Sequence, residues 1–119
     1  MQKTLFKRFR FTALEGLDAV TLFIEYRPEG ALNITLRCWG DAWTAGFSSP
    51  GCDGMLFTAD ADVDYMAGKL CNLQWTSAQK YREDQQHYLM RIWSQVRPRL
   101  QQYCQDRPAG ERWDGEYDD

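Results

Sequence analysis

The spacing Asp60-x-Asp62-x-Asp64 is the first arrangement in this chain with the residue types to hold an ion. Alternate acids open an EF-hand loop, but that loop also needs glycine at its sixth position and glutamate at its twelfth. Tyr65 and Cys71 stand at those positions. The acids therefore read as charges that cap and start a helix. His87 is the only histidine, and one helical turn away on either side stand Glu83 and Arg91. A nucleophile–base pair would have to be assembled from distant segments. Cys52, in a glycine-rich stretch, is the cysteine best placed for exposure. Cys38, Cys52, Cys71 and Cys104 are 14, 19 and 33 residues apart, without a C-x-x-C pair. Zinc sites draw on close ligand pairs, so these cysteines read as small buried hydrophobes. The chain carries no phosphate loop, dinucleotide fingerprint or nucleophile elbow. The expectation is a protein without enzymatic activity, metal or cofactor.

Binding chemistry is better represented. Trp43 and Phe47 lie in a Gly/Ser/Pro/Asp-rich stretch, residues 40–54, and Trp39 falls on the polar parity of the strand before it. Exposed aromatics on a loop anchor protein interfaces. Asp41, Asp53, Asp60, Asp62 and Asp64 add a negative rim, since residues 41–64 contain no base. The partner-binding set is therefore Trp39, Asp41, Trp43, Phe47, Asp53, Asp60, Asp62 and Asp64. Such a surface attracts basic partners, including nucleic-acid-binding proteins. An alternative set is Lys3, Lys7, Arg8, Arg10 and Arg37, a basic patch that with Phe9, Phe11 and Trp39 would bind nucleic acid. Arg8 and Arg10 alternate with Phe9 and Phe11, however, and so point to the opposite face. That alternation weakens the alternative.

The net charge of −3 is unevenly placed. Residues 106–119 hold six acids and two bases, and the remainder holds eleven acids and twelve bases. A near-neutral body argues against bulk electrostatic binding of nucleic acid. Of 119 residues, 44% are apolar and 26% charged, which excludes a mostly disordered chain and suits one domain. No apolar run reaches the length of a membrane span. Arg8 and Arg10 interrupt what would have to be the apolar part of a signal peptide. The expected location is the cytoplasm of a bacterial host cell, with reduced cysteines.

The elements that must position these residues follow from periodicity. Residues 5–13, Val20 to Tyr26 and Leu32 to Cys38 alternate with a period of two and are separated by turn chemistry at Gly16 and Pro28-Glu29-Gly30. They predict an antiparallel meander of three strands, and Met55 to Thr58 is a candidate fourth. Val63, Met66, Ala67, Leu70 and Cys71 form a helical stripe starting near Asp60 or Asp62. Tyr81, Tyr88, Leu89, Ile92, Trp93 and Val96 form a second stripe after a cap at Ser77, with a break or kink expected at Arg97 before Pro98. The fold class is α+β: a three- to four-stranded antiparallel meander covered on one face by two C-terminal helices. Residues 1–105 form one domain, and 106–119 an acidic, mobile tail.

Two segments carry a resemblance. Gly30-Ala-Leu-Asn-Ile-Thr-Leu-Arg-Cys-Trp-Gly-Asp-Ala-Trp43 and Asp64-Tyr-Met-Ala-Gly-Lys-Leu70 resemble small accessory proteins of tailed bacteriophages and prophages. In those, a strand ending in Cys-Tyr-Gly and a Trp-containing loop precede an Asp-Tyr-Leu-x-x-Lys-Leu helix. The resemblance spans roughly residues 5–73 and departs at Trp39, where the tyrosine would be. It implies a phage origin and no catalytic residue. It also implies, by association, a protein that binds and disables a host protein of bacterial immunity (CRISPR-type or restriction), as anti-CRISPR proteins do.

Overall fold

The computed structural model describes residues 4–26, 31–48, 54–71, 79–106 and 115–118. Four strands, β1 (Leu5–Phe11), β2 (Val20–Tyr26), β3 (Leu32–Cys38) and β4 (Asp41–Phe47), are followed by helices α1 (Gly54–Asp60), α2 (Val63–Leu70) and α3 (Gln79–Asp106) and by a last strand, β5 (Gly115–Asp118). The sheet order is β4-β3-β2-β1-β5. The first four strands form an antiparallel meander, and β5 runs parallel to β1. The fold is α+β, as the alternation followed by helical stripes predicts.

Alternation assigns the two faces. Phe9, Phe11, Val20, Leu22, Ile24, Leu32, Ile34, Leu36, Cys38, Trp43, Ala45 and Phe47 are buried on one face. The helices cover it with Met55, Ala59, Met66, Ala67, Leu70, Leu89, Ile92, Trp93, Val96 and Leu100. The long helix crosses this face from one sheet edge to the other. At one end Gln85 accepts a hydrogen bond from Trp43 Nε1 at 3.0 Å and the Tyr88 ring lies 5.7 Å from that of Trp43. At the other end the Tyr103 ring meets Phe9 edge-on at 5.1 Å and Tyr117 of β5 at 5.0 Å.

Polar side chains of α3 hold the connections in place. Arg97 donates to the Ala61 and Asp60 carbonyls at 3.0 and 3.1 Å, and Trp93 Nε1 donates to the Ala61 carbonyl at 3.1 Å. These donors satisfy carbonyls that the end of α1 leaves open. The β1–β2 turn is tied down in the same way. Gln95 bonds both the amide and the carbonyl of Glu15 at 2.7 Å, and Arg91 donates to the Gly16 carbonyl at 2.6 Å. Gly16 has φ of 67°, and a Cβ there would lie 2.8 Å from the Arg91 guanidinium, so glycine is required twice over.

The structure corrects four sequence expectations. Residues 41–47 are a strand, not a loop, because Trp43, Ala45 and Phe47 keep the period of two through the small residues between them. Gly46 belongs in that strand: a Cβ there would lie 3.1 Å from Asn33 Oδ1 on the neighbouring strand. Residues 55–58 are helical rather than a fourth strand, since Met55, Thr58 and Ala59 are buried at i, i+3 and i+4. A third helix therefore joins the two expected. No break occurs at Arg97, because α3 runs continuously through Pro98. Pro98 and Ser94 are both exposed, so the carbonyl that loses its donor faces water. Finally, Gly115–Asp118 of the expected tail is part of the sheet, where Tyr117 packs beside Phe9 and Tyr103. The cap expected at Ser77 lies outside the described residues. Among those described, no helix is long and apolar enough to cross a membrane.

Candidate functional site

The helices leave the other face of the sheet open. Cross-strand register arranges its side chains in rows: Arg10, Thr21, Arg37 and Ala42 in one, Arg8, Phe23, Thr35 and Thr44 in the next, Phe6, Glu25, Asn33 and Gly46 in the third. Glu116 and Asp118 of β5 extend the first two rows beside β1. Phe6 and Phe23 contact each other at 5.7 Å between ring centroids, and Phe6 is 43% exposed.

The β3–β4 turn overhangs the first row. It contains Trp39, 77% exposed, with φ of 60°. A bulky residue in the left-handed region is strained by about 1–3 kcal/mol. Gly40 beside it does not have a positive φ. Positive φ at the first of two turn residues alone is the pattern of a type II′ hairpin, where glycine ordinarily comes first. Tryptophan occupies the glycine place instead and exposes its ring there. Trp39, Arg37, Thr21, Arg10, Asp18 and Ala19 line a shallow cavity of about 260 Å³.

The partner-binding residues expected from sequence divide between several places. Trp39 and Asp41 are exposed at the β3–β4 turn. Trp43 and Phe47 are not loop anchors. Each is only 8% exposed on the covered face, because both follow the inward parity of β4. Asp60, Asp62 and Asp64 are exposed around the α1–α2 elbow, and Asp62 lies 3.8 Å from Arg97 without making a side-chain cap bond. Tyr65, beside them, approaches the ring of Phe47 at 6.2 Å. Phe47 is at the opposite end of β4 from the Trp39 turn, about 20 Å along the strand. These acids therefore do not rim the Trp39 turn. Asp53 lies outside the described residues.

The basic set separates as well. Lys3 lies outside the described residues. Lys7 is 4% exposed on the covered face, its ammonium 4.9 Å from the Tyr103 ring centroid and 5.7 Å from that of Phe9. Burial against aromatic rings suits its long stem and its charge. Arg8 donates to Glu116 at 3.1 Å and to Asp118 at 3.2 Å. The Glu116 hydrogen bond holds its guanidinium above the ordinary pKa, against the smaller opposing effect of desolvation. Arg10 and Arg37 are exposed, and neither forms an ion pair among the described residues. Phe9 and Phe11 are fully buried, so the opposition of aromatic and arginine faces along β1 holds as expected. Phe6, Phe23 and Thr21 supply what sequence reasoning missed. Phe23 lies within an apolar run from Leu22 to Ile24, which masks its outward parity.

Nothing resembling a catalytic constellation is assembled among the described residues. Cys52 lies outside them, and His87 is exposed on α3. Among the described residues, Cys38, Cys71 and Cys104 form no disulfide. Buried Cys38 places its sulfur 3.4 Å from the Tyr88 hydroxyl and 3.8 Å from the Asp18 carbonyl. That thiol is the main cause of a Tyr88 pKa pushed up to about 12, followed by burial and by the charges of Cys38, Asp41 and Asp18. No group of three or more His, Cys, Asp or Glu among the described residues is placed to hold a metal.

Comparison with known proteins gives one result. No curated protein and no solved structure matches the chain. A family model described as a phage family, Phage_phiTE_072, matches residues 1–118, essentially the whole chain, and agrees with the phage origin implied by the motifs around Trp39 and Lys69. The protein belongs to this phage family.

Proposed function

We propose that this phage protein acts without catalysis, by binding and inhibiting a host protein, a component of bacterial immunity of the CRISPR or restriction type. The observation that carries the reading is Trp39. A ring of that size, 77% exposed and held at φ of 60°, stabilises neither the core nor its own turn. Strain that persists on an exposed side chain is a mark of function. Tryptophan is also the residue type most enriched among interface residues that dominate affinity. Membership of a phage family supports the reading by association, since phage proteins act inside hosts that carry defences.

The binding surface in this reading is the open sheet face with the Trp39 turn, and not the loop-and-acid cluster that the Gly/Ser/Pro/Asp-rich composition of residues 40–54 favours. The alternative, a nucleic-acid-binding module on Lys3, Lys7, Arg8, Arg10 and Arg37, has less support. Lys7 is buried and Arg8 is already paired with two carboxylates. Fluorescence anisotropy with labelled single- and double-stranded DNA at low salt tests that alternative, since electrostatic binding is strongest there.

The principal test compares the native protein with Trp39→Ala in affinity capture from host lysate, alongside a plaque assay in cells with active immunity. The native protein should retain one stoichiometric host protein and raise phage survival. Trp39→Ala should fold and do neither. Capture and protection unchanged in Trp39→Ala would overturn the reading.

A further inference from the structure

We infer that Arg10, Thr21 and Arg37, bounded at one end by the Trp39 indole, form an oxyanion subsite that takes carboxylates of an extended acidic segment of the host partner. The inference rests on the binding reading above and assigns that partner a chemistry.

Register makes the subsite. Arg10 pairs with Thr21, and Thr21 with Arg37, so two guanidinium groups flank one hydroxyl across three adjacent strands. Strands about 4.8 Å apart place the two arginine backbones about 10 Å apart. The long side chains can reach over the threonine toward a shared acceptor. The cavity of about 260 Å³ between them opens to solvent-exposed Arg10, Arg37 and Trp39. Guanidinium forks recognise carboxylates bidentately, and no ion pair among the described residues occupies these two forks.

The chain displays the same chemistry on the neighbouring row. There β5, an extended acidic strand, lies along β1 and delivers to Arg8 both Glu116, its register partner, and Asp118, which stands opposite Arg10 but bonds to Arg8. Its acids alternate, so both fall on the open face, as a period of two requires. A partner segment with the same alternation would present its acids to Arg10 and Arg37 and an apolar or planar group to Trp39. A polyanionic nucleic acid fits less well. Asp18 lines the cavity, and Glu25, Glu116 and Asp118 share the face. Four carboxylates against three arginines leave no net positive surface for a run of phosphates. One or two carboxylates need only the local fork.

The test is a titration followed by amide and indole NMR shifts. The probe is a short peptide alternating Asp and Thr, with an Asn/Thr peptide of equal length as control. Saturable shifts should appear at Thr21, Arg37 and Trp39 at low salt with the acidic peptide and not with the control. Arg10→Gln combined with Arg37→Gln should weaken the response about tenfold, as expected for losing charge-assisted bonds, while leaving the fold intact. Absence of saturable shifts at these positions, or equal shifts with the control, overturns the subsite. So does oligothymidine binding there more tightly than the acidic peptide, which would assign the face to nucleic acid. Failure of the subsite is separable from failure of the binding reading. Host capture lost in Trp39→Ala but kept in the double arginine variant overturns the subsite alone.

Discussion

The two faces of one sheet obey different rules, although the same strands build both. On the covered face, Phe9, Phe11, Leu22, Leu36 and their neighbours are sealed under three helices, and even a lysine is placed over aromatic rings. On the open face, arginines stand beside aromatics, a tryptophan sits in a strained turn, and Arg8 is held by carboxylates from the far end of the chain. The covered face uses its residues for stability. The open face retains a strained tryptophan and arginine side chains that packing does not require. That difference directs attention to the open face for function, and it can be broken or sharpened by substitution.

The largest effect should come from the covered face. Trp93 is fully buried and donates to the Ala61 carbonyl. Trp93→Ala should cost about 3–5 kcal/mol, read from urea unfolding, mostly through the cavity it leaves. The carbonyl keeps its Arg97 donor, so the loss is chiefly one of packing. A cost below about 1 kcal/mol would mean that this face is not the stabilising one.

Two nearby basic residues give a paired contrast. Lys7→Ala should cost about 1–2 kcal/mol, because the stem and the ring contacts are both lost. Arg10→Ala, three residues on and facing water, should stay within about 0.5 kcal/mol. Equal costs would erase the distinction between the faces.

Trp39→Gly should move stability in the opposite direction. Glycine relieves the φ of 60° and should raise stability by about 1 kcal/mol, a gain of a few degrees in Tm. The same variant should lose host-protein binding. A fall in Tm would instead make Trp39 a structural residue, and the contrast would weaken.

The smallest effect is alkaline. Tyr88 has an ordinary pKa of 10.0 and one of about 12 in the folded protein. The folded state holds the phenol proton more tightly than the unfolded chain does. The contribution to stability is therefore fully present below pH 10 and is lost as pH rises through about 12. Unfolding followed across that window should show a downward slope in stability, reduced in Tyr88→Phe. A slope unchanged in that variant would remove Tyr88 as its source.

The legible parts of the fold were those whose periodicity ran without interruption. Strands β1 to β3 and helix α2 follow from alternation and from a helical stripe. Strand β4 was obscured because Gly, Ser and Asp around Trp43, Ala45 and Phe47 carry turn chemistry, although the parity was intact. The strand β5 was beyond reach, since its one apolar residue, Tyr117, has no partner until β1 and Tyr103 are in place. Arg10, Arg37 and Trp39 are already joined in the nucleic-acid alternative, as members of one sheet face, whereas Thr21 between the two arginines is not singled out. Short turns predict which of the first three strands are neighbours, but not the register that sets Thr21 between Arg10 and Arg37, nor the return of β5 beside β1.

Where periodicity runs uninterrupted, the amino-acid sequence alone settled local order: the alternation and apolar parity of β1 to β3 and the helical stripe of α2. Those properties depend on neighbours within a turn or a strand. Tertiary structure decided what depends on distant neighbours. It placed Trp43, Phe47 and Lys7 under the helices, brought Glu116 and Asp118 to Arg8, and aligned Arg10, Thr21 and Arg37 beside an exposed Trp39. The physical reason is that burial and charge pairing are properties of the packed interface between elements, and register sets that interface only once the whole sheet has formed.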